Sequence, residues 1–240
     1  MRALFLRLLF VIGMLVAFVF LTIPIFLRSF FRKARAFHPS GTVCTAKITP
    51  IDDAGKPLAG TARVRFASAT ADENSPEPSI IGMSIKIGDD QDLALATFES
   101  FTKAGDATKA SNVADYLVAN QYASVAPWLV RGLGVTWLRA LPDPAASTDK
   151  TGTRVERLRA DIDAKRASLV LEARAAPGPD AEVHAKLATI VLTGIEPQDD
   201  PNHHISMFRH GRGVTATGFR NGVRSIVYPV SQFARGLRGR

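Results

Sequence analysis

The chain has a single cysteine in 240 residues, Cys44, which rules out an intramolecular disulfide framework and a thiolate metal cluster. Stability must come from packing, and Cys44 itself is expected to be a small buried apolar residue. Acidic residues are missing from both ends. Residues 1–35 carry Arg2, Arg7, Arg28, Arg32, Lys33 and Arg35 without an Asp or Glu; residues 201–240 carry Arg209, Arg212, Arg220, Arg224, Arg235, Arg238 and Arg240, again without one. All 22 acidic residues therefore lie between, and the net charge of +8 is a property of the ends. This distribution argues against nucleic acid as a partner, because a nucleic-acid surface gathers its cations on one folded face with groove-reading or stacking side chains. It suits anionic lipid or a buried anionic cofactor better. Arg235, Arg238 and Arg240 read as a solvated tail. The chain also lacks a nucleophile elbow, a zinc-protease motif and a fixed-period repeat, and Gly211-Arg212-Gly213 with Gly218 lacks the strand-turn-helix spacing of a phosphate loop. His203, His204 and His210 have no acidic or thiol partner to complete a tetrahedral set and read as surface residues.

What the chain does have is a long hydrophobic run. No charged residue occurs from Leu8 to Leu27, and at about 1.5 Å per helical residue the run reaches about 30 Å, the thickness of a bilayer's hydrocarbon layer. A cleaved leader has a shorter apolar region closed by small residues. Ala34-Arg35-Ala36 has the alanine spacing of a cleavage site, but cations separate it from the run, so a retained transmembrane helix is expected. Pro24 lies near its end, and Phe26, Phe30 and Phe31 suit the interface beside Arg28, Arg32 and Lys33. The larger number of cations after the run places the globular part in the cytoplasm by the positive-inside bias. The expected organisation is a membrane anchor with a basic flank, residues 1–36, followed by one domain, residues 37–240.

Within that domain, alternation predicts strands over 42–49, 61–66, 80–87 and 92–97, separated by turn-rich stretches. In the second of these, Ala62, Val64 and Phe66 share one face and Arg63 and Arg65 the other. Three- and four-residue spacing of apolar residues over 111–141, including Trp128 and Trp137, predicts amphipathic helices packed over a sheet. A short charged helix is expected over 155–165, strands over 167–173 and 185–193, and a terminal helix over 222–235, kinked or divided by Pro229. Short strands with covering helices predict an α+β chain built on an antiparallel β-barrel.

Two segments carry chemistry. Phe37-His38-Pro39-Ser40-Gly41 opens the domain, and Arg224-Ser225-Ile226-Val227-Tyr228-Pro229 lies near its end. With Val64-Arg65-Phe66-Ala67-Ser68, the strand Ile81-Gly82-Met83-Ser84-Ile85-Lys86-Ile87 and Gln91-Asp92-Leu93, they occur in an order that resembles the catalase-like superfamily, especially the small bacterial catalase-related proteins. The resemblance runs from about Phe37 to Phe233. It implies a catalase-like barrel binding haem b, with Tyr228 as the axial phenolate ligand, Arg224 one helical turn earlier as its partner, Arg65 on a propionate and His38 as the distal acid/base. Two positions depart from the family. Its peroxide-orienting asparagine is absent, with only Thr97 nearby, and Ile81 stands where a second propionate-binding arginine is usual.

The resemblance therefore implies a haem-dependent oxidoreductase of the bacterial inner membrane, single-pass, acting as a peroxidase or catalase on hydrogen peroxide or an organic or lipid hydroperoxide. A second copy of the chain is kept among the partners. Two other readings stand beside it: a catalase-like barrel without turnover that serves as a membrane-bound binding or interaction module, and an anchored lipid-binding protein using helices between Trp128 and Trp137.

Overall fold

The computed structural model describes residues 1–32, 38, 40–69, 75, 77–98, 111, 113–143, 151–178, 180–197 and 203–237. Ten strands are defined: β1 (Thr42–Pro50), β2 (Gly60–Ser68), β3 (Ile81–Ile87), β4 (Gln91–Ala96), β5 (Tyr122–Ala123), β6 (Trp128–Val130), β7 (Gly134–Pro142), β8 (Ser168–Arg174), β9 (Val183–Ile195) and β10 (Val214–Ala216). Eight of them close into an antiparallel barrel in the order β7-β5-β4-β3-β2-β1-β9-β8, with β8 returning to β7 through pairs from Trp137↔Arg174 to Pro142↔Leu169. β6 and β10 extend from β7 as a short antiparallel ribbon.

Strand alternation decides what faces inward. In β3, Ile81, Met83, Ile85 and Ile87 are buried and the residues between them half-exposed. β2 supplies Val64 and Phe66 to the same core, where the Phe66 ring stacks on Tyr116 with centroids 4.9 Å apart. Cys44 is fully buried on β1, as its type suggested. β4 is buried along its whole length, so both its faces are covered.

The helices expected over 111–141 are instead β5, β6 and β7. Gly132 and Gly134, both at positive φ, form the turn between β6 and β7. Along β7 both sides carry bulky groups, with Thr136, Leu138 and Ala140 buried and Val135, Trp137 and Leu141 half-buried. The period of two is therefore masked by apolar residues on both faces. With no helices between Trp128 and Trp137, the lipid-binding reading built on them loses its basis.

Four α-helices are defined: α1 (Arg2–Val16), α2 (Thr22–Arg32), α3 (Arg154–Asp163) and α4 (Gly218–Gly236). A single π-turn, Ala17–Leu21, joins α1 to α2, so Arg2–Arg32 is one 31-residue helix long and apolar enough to cross a membrane. α3 begins with a capping box of Thr153 and Glu156 and buries Leu158 in the core. α4 runs undivided through Pro229, whose ring is exposed.

The N-terminal helix does not stand apart from the domain. One side of it packs along α4, burying Ala17, Ile25 and Val227, and Ser29 Oγ lies 2.8 Å from Ser231 Oγ. Close approach is set by glycines: a Cβ on Gly13 would overlap the Phe219 carbonyl oxygen, and one on Gly222 the Phe10 carbonyl oxygen. The other side, including Leu4, Phe5, Leu8, Val11, Leu15, Phe18 and Ile23, is exposed. The expected boundary between residues 36 and 37 lies outside the described residues.

Gly222→Val should force the two helices apart and cost about 1–3 kcal/mol. The detergent-solubilised protein should unfold several degrees below wild type, at about 2–4 °C per kcal/mol for a chain of this size. Gly236→Ala, where an added Cβ meets nothing within 4 Å, serves as the control and should leave the midpoint in place.

Candidate functional site at the barrel wall

β2 pairs with β3 so that Arg65 stands opposite Ser84 and Ala67 opposite Gly82. These residues alternate with the core residues Val64, Phe66, Met83 and Ile85, and so they line the outer wall of the barrel. His38 lies on this wall. Its main-chain N–H donates to the Ala69 carbonyl at 3.1 Å, and its φ of 56° turns the chain at a left-handed position. Gly82 makes the seat: a Cβ there would come within 3.0 Å of Cε1, Nε2 and Nδ1 of the imidazole. Phe37 and Pro39, the neighbours of His38 in its motif, lie outside the described residues.

The imidazole is oriented by a hydrogen bond between Nδ1 and the Ala67 carbonyl at 2.9 Å. A carbonyl only accepts, so Nδ1 carries the proton and Nε2 is the basic nitrogen. Loss of solvent pulls the pKa down to about 4; the Ala67 carbonyl opposes this, while the charges of Arg65 and Arg224 lower it further. At neutral pH the ring is therefore an uncharged base.

Arg65 is buried and donates from Nη2 to the His38 carbonyl at 3.1 Å, with its guanidinium carbon against Gly41. Arg224 reaches the same neighbourhood from α4, near enough for its charge to act on His38. His38 and Arg65 are thus joined on the barrel wall by a hydrogen bond, while Arg224 acts on the imidazole through its charge alone. The fourth expected site residue, Tyr228, follows Arg224 by one turn and is half-buried, packed against both the barrel core and the seam between α4 and the N-terminal helix. Arg224 does not reach forward to it. Its Nη1 donates back to Asn221 Oδ1 at 3.3 Å, and among the described residues no hydrogen bond joins the guanidinium to the phenol. Thr97, at the family's asparagine region, is occupied too: its Oγ1 accepts from the Ile81 N–H at 3.0 Å and lies 2.7 Å from Ser111 Oγ.

Sequence reading left one neighbour of the site, Arg220, without a role and placed another, His203, at the surface. Arg220, one turn before Arg224, donates to the Val125 carbonyl at 3.0 Å, and burial followed by the Arg224 charge lowers its pKa. Its signal was the four-residue spacing of Arg220, Arg224 and Tyr228. His203 is buried rather than on the surface, with Nε2 3.1 Å from Ser84 Oγ on the wall beside Gly82. No cluster of His, Cys, Asp or Glu among the described residues could hold a metal ion.

By chemical type these side chains suit an anionic macrocycle, with two guanidiniums for its carboxylates and a phenol for its metal; Gly82 lacks the Cβ that would displace the imidazole, and Arg224 and Tyr228 share α4. No family model matches the chain, and no curated protein matches it.

Between pH 6.5, where the unfolded imidazole titrates, and about 4, where the folded one does, the unfolded chain binds more protons, so stability rises with pH. Thermal midpoints of wild type should therefore fall on acidification from 6.5 to 4 more steeply than those of His38→Gln. Parallel curves would show that the imidazole is not desolvated.

Proposed function

We propose that the chain is a membrane-anchored haem protein of the catalase-like type that consumes a peroxide, either hydrogen peroxide or an organic or lipid hydroperoxide. The observation that carries this reading is the imidazole of His38 seated on Gly82 with Nδ1 bonded to the Ala67 carbonyl and Arg65 bonded to the His38 carbonyl, while the charge of Arg224, one turn before Tyr228, acts on the same ring. Haem b, when bound, supplies a redox-active ferric iron. Tyr228 would hold it through its phenol oxygen, and Arg65 and Arg224 would supply charge for its carboxylates and for the phenolate. The proton on Nδ1 fixes Nε2 as the atom that takes a proton from one peroxide oxygen and returns it to the other. Without the family's asparagine, and with Thr97 occupied, peroxide is oriented less strongly, which favours slower peroxidase-like turnover. The long apolar helix, packed along α4 on one side and exposed on the other, supports attachment to a bacterial inner membrane, and the cation balance of its flanks supports a cytoplasmic domain.

A non-catalytic barrel acting as a membrane-bound binding module is the second reading. It is favoured by one observation: Arg224 bonds to Asn221 while Tyr228 makes apolar contacts.

The full-length protein in detergent, supplied with haem, should develop a tyrosinate-type ferric absorption spectrum that Tyr228→Phe abolishes. Absence of a Soret band under saturating haem would reject the haem reading. If haem binds, His38→Ala should keep the spectrum and slow peroxide consumption about 10²- to 10⁴-fold; equal rates would assign the protein to the second reading.

A further inference from the structure

A second candidate site lies away from His38, at the other end of the N-terminal helix. The first turns of α1 and the β6–β7 hairpin bound an open cleft of about 380 Å³, lined by Arg7, Leu129, Arg131, His210, Gly213 and Thr215. The chain builds it deliberately at one point. Gly213, at a φ of 82°, accepts a hydrogen bond from the Arg131 main chain at 2.9 Å, and a Cβ on Gly213 would stand 3.3 Å from Arg131 Nε. The bare backbone lets the guanidinium lie across the cleft wall.

Its charge is one-sided. Arg7 and Arg131 are exposed, and among the described residues neither has an acidic partner. A third cation, Arg2, lies with its guanidinium carbon 5.5 Å from the centre of the half-buried Trp137 ring. Directly beside these cations begins the exposed apolar side of the helix, with Leu4, Phe5 and Leu8. Cations and a tryptophan ring at the edge of an apolar surface match the order of groups met on passing from phosphates to acyl chains.

We propose that this cleft binds the phosphodiester headgroup of an anionic phospholipid, with Arg7 and Arg131 on the phosphate and the lipid's chains along Leu4, Phe5 and Leu8. The apolar edge chooses a lipid over a free phosphate, which would gain nothing from it. The assignment rests on the membrane part of the proposed function and is independent of haem. It also changes the charge balance of the anchor, because the folded domain adds Arg131 to the cations at the helix N-terminus.

Native mass spectrometry of the full-length protein released from detergent, titrated with phosphatidylglycerol or phosphatidylcholine of equal chain length, tests it. Wild type should retain phosphatidylglycerol in preference, and Arg7→Gln with Arg131→Gln should lower that preference about fivefold for each arginine removed. Arg131→Lys should keep most of it. Equal retention of the two lipids by wild type, or a preference unchanged in the double variant at an unchanged unfolding midpoint, would overturn the site. Displacement by millimolar inorganic phosphate would overturn the lipid and leave a free-anion site. Recovery of wild type in the aqueous fraction after carbonate extraction would remove the membrane reading together with the site, whereas membrane association without lipid preference removes the site alone. Neither result bears on the haem spectrum.

Discussion

The pairing of β7 with β8 is the constraint from which the rest follows, because it turns an eight-strand sheet into a closed wall. Closure satisfies the backbone at both edges and fills the interior with side chains such as Val64, Phe66, Met83 and Leu138. The expected site residues His38 and Arg65 accordingly lie on the outside of the wall. There the wall is thin in side chains where β2 and β3 place Ala67 and Gly82 opposite each other, and the His38 imidazole fills the space. The candidate site is thus a by-product of register: a slip of one residue between β2 and β3 would replace Gly82 under the imidazole by a residue with a side chain.

The electrostatics follow from the same placement. A histidine among cations, drawn out of water, loses its charge, which is the state a proton acceptor needs. The acid-free stretch from residue 201 onward supplies Arg209 to the buried Asp92 carboxylate at 3.2 Å, Arg220 to a main-chain carbonyl and Arg224 to the neighbourhood of His38. The cations of this stretch up to Arg224 are thus engaged in specific contacts ahead of the tail at Arg235, Arg238 and Arg240.

Much of this was legible beforehand. The strands from β1 to β4 follow from alternation, and β8, β9, α3 and α4 from periodicity, each within a few residues. The stretch from Tyr122 to Pro142 was not, because apolar residues on both faces of β7 erase the period of two and the paired tryptophans imitate helical spacing. Pro229 was expected to break α4, yet its ring points to solvent on a helix supported along its length by packing. At the site, the motifs named His38 and Arg65, which a hydrogen bond joins, and Arg224, whose charge reaches the imidazole. Sequence could not tell that Arg224 would turn back to Asn221, since both directions lie within one turn of the same helix.

The glycine-set seam between the apolar helix and α4 has a practical meaning. Cutting the chain after residue 36 to obtain a soluble fragment would strip the cover from Val227 and from the notch at Gly222, leaving a greasy furrow along the very helix that bears Arg224 and Tyr228. A fragment made that way would clump or rearrange, and a missing chromophore in it would report on the cut rather than on the protein.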